Sequence, residues 1–351
     1  MEPALSEETS PLDRGIEPAL REVATNLYRH MVRLRLVSAR MVQLQRAEKI
    51  AFHAACLGEE AVIAAAALAA RPGDWIFPGV REWGSALVRG MPIATYVHHA
   101  FGSGEDPAKG HAAPDHPPAR RFAVAPASGI LGAHVPQAVG AAWAAKIRKE
   151  DVATVALFGD AVASGGDFHN ALNFAGVFKA PCVFVCRNHA GDRNAFGTAD
   201  TRAVAYGVAS AKVDGSDAIA VFGLVQAAIA RAAAGKGATL IEAITRPLPL
   251  TGAASLDGAS PGATGTWGPE LLGEGASDPV ARLRRALDRE KLLDVEGAEA
   301  IAREARAEID AAVAAAERAA PLATGSIFEH VYAEVPPHLR AQKEEASQWR
   351  R

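Results

Sequence analysis

Cysteine is scarce in this chain. Its 351 residues hold three, Cys56, Cys182 and Cys186, too few for a disulfide framework. Long apolar runs are missing as well. The longest strongly apolar helical run, residues 61–70, is too short to span a bilayer. The amino-terminal stretch MEPALSEETSPLD carries neither an apolar signal core nor a basic transit pattern. A formal net charge of −3 gives no general attraction to nucleic acid or to an anionic membrane. No strand-following Gly-x-Gly-x-x-Gly and no Walker-type lysine loop is present, which argues against the common nucleotide-binding enzymes. His111 and His116 lie in a Gly- and Pro-rich stretch, residues 102–118, without zinc-like spacing, and read as solvated loop histidines. Together these absences suit a soluble cytoplasmic protein with no nucleic-acid or membrane partner.

What is present is a core-forming, helix-favouring composition. Hydrophobic residues make up 49% of the chain, many of them alanine, which favours helix over strand. Leu27, Met31, Leu34, Val37, Met41 and Leu44 recur at three- and four-residue steps and predict an amphipathic helix between Pro18 and Ile50, with both methionines in the core. Gly58-Glu59-Glu60 opens another helix with acids in its first turn, as the helix dipole favours. Short strands are expected at Trp75–Pro78, Arg120–Pro126, near Ala211–Asp214 and at Ala238–Ile244. Helices are expected over residues 138–147, after Pro136, and over Asp217–Ala234. Strands alternating with helices argue a doubly wound, mostly parallel α/β sheet. Residues 251–279 change to Gly, Ala, Ser and Thr and predict a loop without regular structure. A Gly-Ala-Ser-Pro-Gly run within it, residues 258–262, matches a nucleophile elbow by chance, with no strand before it or helix after it. From Val280 to Arg318 the pattern is helical.

The most informative stretch is Thr154–Gly191. An apolar run, Val152–Phe158, predicts a buried parallel strand that stops at Gly159-Asp160. The segment from Asp167 to Ala175 is spaced as a helix, closed by Lys179-Ala180-Pro181. Cys182–Cys186 gives a second strand, ending at Arg187-Asn188-His189. Polar groups thus stand at the carboxyl ends of two parallel strands, where open α/β sheets bind their ligands.

These words also carry a resemblance. The stretch is similar to the thiamine-diphosphate motif, in which Gly-Asp-Gly is followed by a later Asn-Asn. GDFHNALNFAGVFKAP and FVCRN resemble the alpha subunit of the decarboxylating component of 2-oxo acid dehydrogenase complexes, the branched-chain (2-oxoisovalerate) type above all. KIAFH, VREWG, GILGAHVPQAVGAAWAAK, KVDGSD, LIEAITR, SDPVARLRRAL and IFEHVYAEVPPHLRAQ extend it over most of residues 25–345. The resemblance implies a thiamine-diphosphate-binding domain over residues 18–325, after a flexible tail at 1–17 and before a carboxyl-terminal segment, 326–351, that packs on partner subunits. It implies thiamine diphosphate and Mg2+ as cofactors, a beta subunit completing a heterotetramer, a lipoyl-bearing acyltransferase, and a 2-oxo acid substrate. The glutamate that activates the cofactor would lie on the beta subunit.

Residue by residue, the resemblance makes Asp160 the acidic metal ligand. Arg81 and Arg187 face the diphosphate, as suits guanidinium forks. Gly129 and Leu131 offer backbone to the aminopyrimidine ring, and Ala161 and Val162 follow the acid close to the cofactor. His189 fills the position of the second asparagine, toward cofactor and metal, and the backbone carbonyl of Gly191 completes the metal set. Several positions depart from the pattern. Ala161 stands for the second glycine, His189 for an asparagine, Val80 for a tyrosine and Gly191 for an aromatic residue. No histidine occurs between His189 and His330, so the family's active-site loop histidine is absent and no catalytic residue is assigned. Two readings stay open: a dehydrogenase alpha subunit, and a non-catalytic paralogue that keeps the fold and the partner but has lost or weakened cofactor binding.

Overall fold

The computed structural model describes residues 10–189, 198–246, 248, 275 and 277–348. The described residues form five strands, β1 (Trp75–Pro78), β2 (Thr154–Gly159), β3 (Cys182–His189), β4 (Ala209–Asp214) and β5 (Thr239–Thr245), most of them short apolar runs and β4 a more polar edge strand. They form one wholly parallel sheet in the order β1-β2-β3-β5-β4. Among the described residues the helices are α1 (Pro11–Arg14), α2 (Arg21–Arg46), α3 (Glu60–Ala69), α4 (Gly84–Val88), α5 (Ile93–Phe101), α6 (His134–Ile147), α7 (Gly166–Phe178), α8 (Ala199–Ala205), α9 (Ala218–Ala233), α10 (Pro279–Arg289), α11 (Val295–Arg318) and α12 (Pro337–Ser347).

The period of two along each strand sorts side chains into two cores. Val155, Leu157, Val183, Val185 and Ile241 join the core under α2, α3, α9, α10 and α11. Ala156, Phe158, Phe184, Cys186 and Leu240 join the core under α6, α7 and α8. The chain advances from β2 to β3 through α7 on one face and returns from β4 to β5 through α9 on the other. That reversal keeps each crossover right-handed. All three cysteines are buried and unbridged. None of the described helices is long and apolar enough to cross a membrane.

The expected α2 amphipathic stripe is present, with Met31 and Met41 fully buried. The expected strand at Arg120–Pro126 is not. Arg120–Phe122 is a 3-10 turn closed by Ala123 at φ 55°, and only Val124 makes a lone bridge to Ile76. The left-handed residue turns the chain before a ladder can extend. Residues 10–17 do not form the expected flexible tail: Leu12 and Ile16 are buried, and the Ser10 hydroxyl donates to Asp217; residues 1–9 lie outside the described residues. Apart from residue 275 and residues 277–279, the expected 251–279 loop lies outside the described residues.

Candidate functional site

α3 reads EAVIAAAALA and is buried on nearly all sides. A helix enclosed so completely takes its amino end inside with it, so acids there require partners. Glu60 meets Arg35 at 2.7 and 2.9 Å. Glu59, the residue before the helix, meets Arg187 from the carboxyl end of β3. Arg187 is itself 3% exposed; its Nε donates to Glu82 Oε1 at 2.6 Å, and Nη2 donates to the same oxygen. Burial weakens a guanidinium's hold on its proton, but Glu59 and Glu82 reverse that and raise its pKa. Burial likewise pushes the Glu59 carboxyl up, yet Arg187, then His189 and Arg81, bring it down to about 2. Glu59 is therefore ionised at neutral pH, and its Oε1 also accepts from His189 Nε2 at 2.7 Å.

On the opposite face of β3, Asn188 donates to Glu242 Oε1, and Glu242 Oε2 accepts from the backbone N–H of Asp200 at 3.1 Å. Burial, and then the neighbouring Asp200, raise the Glu242 carboxyl above its ordinary value. His134, at the start of α6, donates Nε2 to the Leu157 carbonyl at 2.9 Å. Its Nδ1, Glu59 Oε2 and Asn188 Oδ1 are buried and have no hydrogen-bond partner among the described residues. All three are acceptors.

Gly159 of β2 and Arg187 of β3 are in register, so Asp160 and Arg187 stand at adjacent strand ends. Asp160 opens a 3-10 turn, Asp160–Ser164, and is half-buried. Its neighbour Ala161 is exposed, and Val162 is buried against Gly132. Gly132 has φ +84°, and a Cβ there would come within 3.0 Å of the Val162 side chain, so glycine is required. Gly129 has open space where a Cβ would point, and Ile130 and Leu131 are 71% and 69% exposed. Arg81 is half-buried in the 3-10 turn Val80–Glu82, beside Glu59. Gly191 lies outside the described residues. Asp160, Arg187, Arg81 and the Gly129–Leu131 loop therefore border the carboxyl end of one sheet. His189 is at that end too, but turned onto Glu59.

Glu59, Glu82, Asn188, His134 and Glu242 were missed by sequence reasoning. The signal for Glu59 was present: paired acids opening a helix with no polar face belong inside, with a cation. His111 and His116 join no metal cluster among the described residues. His111 Nε2 lies 3.1 Å from the Ser326 carbonyl, and His116 Nδ1 lies 2.6 Å from that of Pro114. A serine–histidine–aspartate set, Ser38, His53 and Asp115, is present but fully buried. Ser38 Oγ accepts the Cys56 N–H, so this set is a core network and not a nucleophile.

A doubly wound parallel sheet with charged groups gathered at its carboxyl end is the layout of a ligand-binding α/β protein. Residues 28–324 match the family described as Dehydrogenase E1 component, and the chain belongs to that family, whose members use thiamine diphosphate. Among similar proteins, 2-oxoisovalerate dehydrogenase subunit alpha of Pseudomonas aeruginosa is 35% identical over 90% of this chain and 80% of its own length. The 3-methyl-2-oxobutanoate dehydrogenase subunit alpha of Mycobacterium tuberculosis is 36% identical over 91% and 85%. The mitochondrial 2-oxoisovalerate dehydrogenase subunit alpha 2 of Arabidopsis thaliana is 38% identical over 64% of this chain, and the match spans 49% of the plant protein.

Proposed function

We propose that this chain is the alpha subunit of a 2-oxo acid dehydrogenase decarboxylating component, acting on a branched-chain 2-oxo acid with thiamine diphosphate. The observation that supports it most is the register of β2 and β3, which sets Asp160 beside Arg187 at the carboxyl end of the sheet. The organic cofactor fits the residues present. Arg81 supplies positive charge for a diphosphate, and Gly129 leaves room for a ring. Magnesium does not fit. It wants near-octahedral oxygen ligands, and the His189 imidazole stands where the resemblance puts an amide oxygen. Asp160 remains the one side-chain oxygen in the expected set, and the His189 nitrogen is engaged by Glu59.

When bound, thiamine diphosphate supplies a nucleophilic ring carbon and an electron sink for the loss of carbon dioxide. The chain's own part is positioning. Arg81 offsets phosphate charge, Arg187 fixes Glu59 and Glu82, and exposed Ile130 and Leu131 shield the reacting end from water once covered. No histidine of this chain is given a proton-transfer role. The acid group that activates the cofactor is assigned to a beta subunit in a heterotetramer, and a lipoyl-bearing acyltransferase takes the acyl product. Exposed apolar Ile327, Val331, Tyr332 and Val335 in the carboxyl-terminal segment support such a partner. We place the complex in the cytoplasm on cysteine usage and the absence of a membrane-crossing helix among those described.

The test is to co-express the chain with its beta subunit and measure carbon dioxide release from 3-methyl-2-oxobutanoate and from pyruvate. Release by the pair and by neither chain alone is expected, with the branched substrate preferred. A stable complex that binds no cofactor and turns over neither substrate would favour the non-catalytic paralogue with lost cofactor binding.

A further inference from the structure

The end of β3 carries an internal ion pair where a metal ligand is expected. His189 Nε2 is 2.7 Å from Glu59 Oε1, and the same oxygen takes the Arg187 Nη1–H. Glu59 is fully buried and Glu82 nearly so. Two carboxylates therefore share one guanidinium, and His189 is the second basic group on Glu59. Moving the imidazole to offer Nε2 to a metal would take away one of the three basic groups, Arg187, His189 and Arg81, that hold that buried carboxylate ionised. Imidazole is also a poor ligand for a hard cation that demands oxygen. Asp160 does not join Glu59 and His189 in a metal-ligating group, since the described residues contain none. Arg81 makes no hydrogen bond or ion pair among the described residues and stays available to an anion.

We propose that this site has exchanged its divalent-metal ligand for the His189–Glu59 pair, and that it binds a diphosphate-bearing ligand without a divalent cation. The diphosphate is met by Arg81 and backbone N–H groups at the strand ends. This deepens the reading given above, and rests on it for the identity of the diphosphate ligand.

Two measurements on the co-expressed complex separate the inference from that reading. In the first, manganous ion alone, and then with thiamine diphosphate, is titrated while free ion is counted by electron paramagnetic resonance, with cofactor in buffer as the control. No uptake beyond the control is expected. One ion bound per chain would overturn the proposal. In the second, thiamine diphosphate binding is followed by calorimetry in magnesium and in EDTA. Equal affinities are expected, and a loss of about tenfold or more in EDTA would overturn the proposal. His189→Asn restores an oxygen donor and frees Glu59, so magnesium should then tighten cofactor binding by about tenfold. If that variant fails to fold, the two wild-type measurements still decide. Absence of cofactor binding in both media contradicts the functional reading, while the manganese count judges the metal site by itself.

Discussion

Arg187 sits between two buried carboxylates, and its worth lies in what its loss would leave behind. Removing it strands Glu59 and Glu82 without their shared cation. Arg187→Met should lower unfolding free energy by about 3–5 kcal/mol in urea denaturation. A variant as stable as the parent would mean that neither acid is ionised in the folded state. Asp115 tests the buried network in the same way. Burial raises its carboxyl, but His53, Tyr96 and the Ala54 N–H together hold it below the ordinary value of 3.8. A depressed folded value means stability that is complete above the unfolded pKa and is lost as pH falls below it. Asp115→Asn should therefore flatten the acid limb of the stability curve below about pH 4, read as denaturation midpoints at stepped pH. An unchanged slope would show that the proton binds elsewhere.

Elements are joined by a second buried cation. Arg35, mid-way along α2, binds Glu60 at the start of α3 and Asp278, the residue that caps α10, at 2.7–2.9 Å. Asp278 also accepts the N–H groups of Val280 and Ala281. Asp278→Ala removes a helix cap, worth about 1 kcal/mol, and half-unpairs a buried arginine. Its cost in thermal unfolding should exceed that of a surface cap, and a loss confined to the cap value would make Arg35 indifferent to it. Gly176 of α7 marks another junction: a Cβ there would lie 2.0 Å from the Tyr206 carbonyl oxygen. Gly176→Ala should destabilise by about 1–3 kcal/mol or more by overpacking backbone against backbone.

Strand and helix positions were legible because the periods of 2 and 3.6 are written in apolar side chains. β2, β3 and α9 follow their predicted runs closely. Arg120–Pro126 misled because its residues suit a strand, while a left-handed Ala123 turns the chain away after Phe122. The site was half legible. Asp160 and Arg187 follow from where strands stop, which sequence shows. The partners of Arg187 come from the residue before α3 and from the turn after β1, 128 and 105 residues earlier, and such distant pairings leave no local pattern. His189 is the sharpest case, since its neighbours suggest a metal and its fold gives it a carboxylate.

At the scale of the whole molecule, the carboxyl-terminal segment exposes apolar side chains, Ile327, Val331, Tyr332 and Val335, that the described residues do not cover. Val331→Asp with Tyr332→Asp should weaken assembly with the beta subunit while leaving the free chain folded, since both are about half exposed or more. Light scattering of the co-expressed pair reads this as a shift from complex to separate chains, and an intact complex would assign the interface to another face. The central claim is that the strand-end site of a dehydrogenase E1 alpha subunit still takes its cofactor. Calorimetric titration of the co-expressed complex with thiamine diphosphate tests it most directly. Saturable binding, one cofactor for each copy of this chain, is the predicted result; no heat of binding up to millimolar cofactor would contradict it.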